Sequence, residues 1–129
     1  MDSDPITLIN NAWKDLQTVT KLVNAYERTE DANVLSNIVK LSLSIYDNAI
    51  KAFLAVKGIR VRDPDYLDQV AHDFIPSEII SDDLRDFLIK CVSSTECSAD
   101  SIATRIKDLD RLVGYVHATS IHRVLYNGL

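Results

Sequence analysis

The chain has 129 residues, of which 47% are apolar and 26% charged, with a formal net charge of −5 and a pI near 5.0. That is enough chain for one compact domain with a single core and too little for two, so residues 1–129 are expected to form one domain. The acidic balance argues against a broad footprint for duplex DNA and against binding to an anionic membrane. No segment approaches the ~20 uninterrupted apolar residues of a membrane span, and Met1 to Pro5 lacks a basic region followed by an apolar run, so a cytoplasmic location is expected.

Asp4 before Pro5 reads as an N-cap with a first-turn proline, and Ile6, Ile9, Trp13, Leu16, Val19, Val23 and Tyr26 then recur at three and four, predicting a first helix over about 5–28. The polar break Arg28-Thr29-Glu30-Asp31 is long enough only for a tight turn. From Asp31 to Gly58 the next helix is apolar around most of its circumference, leaving a strip of Asn37, Lys40, Ser44, Asp47, Asn48 and Lys51. A helix of that kind must be covered from several sides, which places it in the middle of a bundle. Gly58 supplies its stop, and the tight turn makes the first two helices antiparallel neighbours.

Asp63-Pro64 opens a short connecting piece with Tyr66, Leu67, Val70 and Phe74, closed by Pro76-Ser77. A third, shorter helix carries Leu84, Phe87, Leu88 and Cys91/Val92, with Ser81, Asp82 and Asp83 near its positive end and Ser93-Ser94-Thr95 after it. A final helix starts at Ser98 or Ser101 and follows Ile102, Ile106, Leu109, Val113, Val116, Ile121 and Val124/Leu125 to Asn127-Gly128, with Leu129 as a closing contact. The first, second and final helices are each about 24–28 residues, or about 36–42 Å. Matching lengths predict an all-α antiparallel up-and-down bundle of four principal helices plus one short connecting helix.

Cys91 and Cys97 have no second Cys or His pair nearby, so structural zinc lacks ligands; two free thiols are expected, with a loop-closing disulfide as the alternative. Facing Glu-x-x-His pairs for a di-iron site, phosphate-cradling glycine loops and a Gly-x-Ser-x-Gly elbow are missing, and neither metal nor cofactor is expected.

Three segments in order resemble the HEPN family of small helical nucleotide-binding or RNA-cleaving domains of prokaryotic toxin–antitoxin and defence systems. Tyr46-Asp47-Asn48-Ala49-Ile50-Lys51-Ala52-Phe53-Leu54, followed by Gly58, looks like that family's acidic-x-x-aliphatic-Lys-Ala-x-Leu segment. His72-Asp73-Phe74 is similar to its His-Asp-Leu element. Arg111-Leu112-Val113-Gly114-Tyr115-Val116-His117 fits its arginine, four to six residues, histidine pattern. The resemblance implies Asp47, Lys51 and His72 as ligand-binding residues, and in active members Arg111 and His117 as a metal-independent pair for RNA cleavage. Arginine would hold phosphate and histidine move the 2′-hydroxyl proton. Here Leu112 stands where a polar residue commonly follows the arginine, and no acidic residue follows His117.

Plainer readings stand beside these. Lys51 and Asp47 are spaced for an i,i+4 pair, and Arg111 for an i,i+3 pair with Asp108. His117 can be a partly buried structural residue, and His72 a loop cap. Six positions on a straight helix leave Arg111 and His117 about 120° apart, so they converge only through a bend at Gly114 or across two subunits. Gly114 and Ala118, flanked by Tyr115, form a small-residue groove read as the face of a symmetric homodimer, with packing against the first helix as the alternative. The expected function is a dimeric binding module for a nucleotide, RNA or a nucleotidyltransferase-type protein. An endoribonuclease using Arg111 and His117 is the second reading and a purely structural adaptor the third.

Overall fold

The computed structural model describes residues 4–60, 63, 66–80, 83–93 and 97–127, with backbone only for 92–93 and 121–127. Five helices follow in order: α1 Pro5–Thr29, α2 Ala32–Val56, α3 Leu67–Phe74, α4 Leu84–Ser93 and α5 Ala99–Asn127. Among the described residues there is no strand, and no helix is long and apolar enough to cross a membrane. Pro64, Ser81, Asp82, Ser94, Thr95, Gly128 and Leu129 lie outside the described residues, as do the side chains of Val92, Ile121, Val124 and Leu125.

Local chemistry sets the helix ends. Pro5 occupies the first turn of α1, and Asp4 contributes its carbonyl, which accepts from Leu8 N at 3.0 Å, while its side chain makes no cap bond. Glu30 ends α1 in the left-handed region at φ 51°, its N–H donating to Tyr26 O at 2.8 Å. Asp31 then caps α2 by accepting from Asn33 N at 2.8 Å. At the other end Gly58 takes φ 75°, with Ile59 N donating to Leu54 O at 2.8 Å and Gly58 N to Ala55 O at 3.0 Å. These two bonds are the Schellman pair, which satisfies the last orphan carbonyls and needs a left-handed residue. Ser98 is the cap of α5, its hydroxyl accepting from Ser101 N at 3.1 Å.

α2 packs against α1, α3, α4 and α5, and so is covered as its apolar circumference requires. Ile38, Ile45, Tyr46, Ala49, Ile50, Ala52 and Phe53 are buried, whereas Asn37, Lys40, Ser44 and Lys51 are exposed and Asp47 and Asn48 half-buried. Tyr26 meets Cys97 through a hydrogen bond of 3.4 Å to its carbonyl, and Trp13 meets His117 with ring centroids 5.9 Å apart. The two contacts run in opposite order along α1 and α5, so these helices are antiparallel. Phe53 meets Tyr115 at 6.0 Å.

The expectation of two free thiols is corrected. Cys91, at the end of α4, and Cys97, just before α5, are disulfide-bonded, with Cα atoms 5.3 Å apart and both residues buried. The turn between α4 and α5 brings the two Cβ atoms into bonding range, which sequence spacing alone does not reveal.

Candidate functional site

A group of polar side chains lies where α3 and α4 pack on α2. Tyr46 is only 1% exposed, and its phenol donates a hydrogen bond to Asp68 Oδ1. Burial, then the hydrogen bond to Asp68 and the Asp68 charge, push the phenol far above the usual tyrosine range. One turn along α3, His72 Nε2 lies 3.6 Å from the same Asp68 carboxylate. Beside them, Asp47 Oδ1 lies 3.6 Å from Arg85 Nε on α4.

Asp47 and His72, two of the three residues expected to bind a ligand, thus lie in two neighbouring pairs that meet at Tyr46, which bonds to Asp68 and feels the charges of Arg85 and Asp47. Sequence reading missed Asp68 and Arg85. The one signal for Asp68 is its position one turn before His72. Lys51 does not pair with Asp47 as its spacing suggests: Asp47 is taken by Arg85 from the neighbouring helix, and Lys51 is exposed without an ion pair among the described residues. The chemistry here is a buried phenol, two carboxylates, a guanidinium and an imidazole, with the guanidinium and the imidazole each already beside a carboxylate. An anionic ligand would have to displace Asp47 from Arg85 or use Lys51.

Arg111 and His117 are placed apart. α5 is unbroken helix through Gly114, so six residues separate the two side chains by about 9 Å along the axis and about 120° around it. Arg111 is exposed and its Nη1 donates to the Glu78 carbonyl, at 3.5 Å, on the segment between α3 and α4. His117 is half-buried and its ring lies against Trp13 of α1, tilted by 34°. The expected Asp108–Arg111 pair is also absent among the described residues. Asp108 instead meets Arg105 at 3.3 Å. Arg105, another residue that sequence reading missed, also reaches Asp83 at 2.6 Å and lies over the Phe87 ring, 5.4 Å from its centroid, tying α5 to the start of α4.

Of the three residues assigned to a dimer face, Tyr115 packs on Phe53 of the same chain, whereas Ala118 is exposed. A Cβ added at Gly114 would meet nothing within 4 Å, so no intrachain neighbour needs the glycine there. No three His, Cys, Asp or Glu side chains group to hold a metal ion among the described residues. No known family, curated protein or solved structure matches the chain.

Proposed function

We propose that the chain is a HEPN-like antiparallel up-and-down bundle of four principal helices, with α3 as the short connecting helix. In this reading it acts in the cytoplasm as a dimeric binding module for a nucleotide, RNA or a nucleotidyltransferase-type protein. The observation that carries the choice of module over nuclease is the separation of Arg111 and His117. One side chain reaches the Glu78 carbonyl and the other lies on Trp13, so a single subunit does not offer phosphate grip and proton transfer at one point, and the nuclease reading would need Arg111 of one subunit to meet His117 of the other. General acid–base catalysis needs both groups within hydrogen-bond reach of the reacting atoms. The gathering of Asp47 and His72 with Tyr46, Asp68 and Arg85 supports a ligand face at the α2–α3–α4 crossing.

The test is incubation of purified protein with single-stranded RNA in EDTA, with products examined for 2′,3′-cyclic phosphate ends. No cleavage is expected, together with measurable nucleotide or RNA binding that weakens in Lys51→Ala. Cleavage abolished by both Arg111→Ala and His117→Ala, with folding intact, would replace this reading with the endoribonuclease. The dimer is tested by light scattering. The Cβ of Gly114→Leu has room within the chain, and the variant should keep its helicity while turning dimer into monomer; a parent protein already monomeric at micromolar concentration removes the dimer.

A further inference from the structure

The outer side of α1 carries a charge pattern unlike the rest of an acidic chain. Lys14, Lys21 and Arg28 are exposed and recur every seven residues. Seven steps of 100° return to within about 20° of the start, so the three cations form one row about 21 Å long on the solvent side of the helix. None of them makes an ion pair among the described residues. Asn10, Gln17 and Asn24 share the same arc and are exposed. From Pro5 to Arg28 the helix has two carboxylates, half-buried Asp15 beside Lys14 and exposed Glu27 beside Arg28, each turned about 100° away from the adjacent cation.

At the edge of this row stands Trp13, 43% exposed, with one side against His117. Across the seam on α5, Asp110 is seven residues before His117 and so shares its face, with Lys107 one turn before it to offset its charge.

Seven residues is the period at which one helix meets another along a seam, and flanking charges on such a seam select the partner. A nucleic-acid strand carries a phosphate about every 3.4 Å of helix axis, whereas this row offers one cation per ~10.5 Å. The spacing thus matches carboxylates on a helix better than phosphates on a strand. A half-exposed tryptophan is the residue type most often found as an energetic anchor in an interface.

We propose that the outer side of α1 docks an acidic amphipathic helix of a protein partner. Its carboxylates would repeat every seven residues opposite Lys14, Lys21 and Arg28, and its apolar edge would cover Trp13. This rests on the binding-module reading and deepens it by naming the partner's chemistry.

Trp13 is the only tryptophan of the chain, so its emission reports directly on the surface. The probe is a labelled 21-residue synthetic helical peptide with glutamate at every seventh position and leucine one turn away. Its glutamine counterpart and a 12-nucleotide single-stranded RNA serve as competitors. Titration of the glutamate peptide should give a saturable change in Trp13 emission and in peptide anisotropy. Binding should weaken at least tenfold with the glutamine peptide, and at least tenfold in Lys14→Glu/Lys21→Glu, with unchanged helicity by circular dichroism.

Equal affinity for both peptides, or no binding of the glutamate peptide up to millimolar concentration, overturns the proposal. So does RNA binding that is tighter than the peptide's and lost in the double variant, which would assign the row to nucleic acid. RNA or nucleotide bound equally by parent and double variant, with no peptide binding, leaves the binding module standing and removes only this surface.

Discussion

Reduction of the Cys91–Cys97 bond should lower stability by about 2 kcal/mol. The bond closes a loop of seven residues counted from Cys91 to Cys97, and the loop-closure relation gives about 8 cal/mol/K of entropy removed from the unfolded chain, or about 2.3 kcal/mol at 25 °C. Both residues are buried, and a cysteine in a core behaves as a small apolar side chain, so the reduced thiols keep most of their packing. With about 2.1 cal/mol/K of unfolding entropy per residue, this corresponds to a fall in Tm of about 8 °C. The assay is a pair of thermal melts with and without a phosphine reductant, with thiols counted by mass after alkylation of the unfolded protein. A melt that moves by less than about 2 °C once two alkyl groups are found would refute the entropic argument. Two free thiols in protein handled without reductant would refute the bond itself. In a reducing compartment the pair stands as thiols, and the melt in reductant is then the relevant one.

Three further outcomes probe the core and its polar insertions. Phe53→Ala and Ile45→Ala should each cost about 2–5 kcal/mol in denaturant unfolding, because both side chains are fully buried in α2 and leave cavities, whereas exposed Lys40→Ala should cost little; the reverse ranking would contradict the burial pattern of that helix. Ser42 is completely buried and its hydroxyl has no hydrogen-bond partner among the described residues, so Ser42→Ala should raise stability by about 1 kcal/mol through the removed desolvation cost and the better helix propensity; a loss of stability would mean that the hydroxyl is satisfied in solution. Tyr46 has its folded pKa raised above the unfolded value of ~10, so its contribution is fully present below pH ~10 and is lost as pH rises above it; the parent should lose about 1.4 kcal/mol per pH unit more than Tyr46→Phe in that range, and parallel alkaline curves would place the phenol in water.

The helices were legible because their signals are local. Pro5, the Asp31 cap, Gly58 and Ser98 act within a turn of their own position, and the periodicity of α1 and α2 marks a core face without knowledge of what covers it. The end of α1, at Thr29, lies within a residue of the expected boundary, where the chain turns through a left-handed glutamate instead of a glycine. The disulfide is not decided by the sequence, because a six-residue separation is compatible with both states and the turn geometry between α4 and α5 selects the bond.

The polar contacts went astray for one physical reason. Sequence spacing pairs Lys51 with Asp47 and Arg111 with Asp108, but each aspartate meets a different arginine: Arg85 from α4 for Asp47, and Arg105 of the same helix for Asp108. An exposed i,i+4 pair is worth only about 0.3–0.5 kcal/mol, so any arginine that packing fixes in place at lower entropy cost captures the carboxylate. Arg105 is held over Phe87 and Arg85 projects from a helix already docked on α2. The same logic separates Arg111 from His117, since a helix keeps its 100° step unless something interrupts it, and α5 runs on through Gly114. A short motif therefore fixes residue types, while tertiary neighbours decide what those residues face. That is why the candidate ligand face formed around Asp68 and Arg85, to which the motif gave no weight, and why Trp13 became the neighbour of His117.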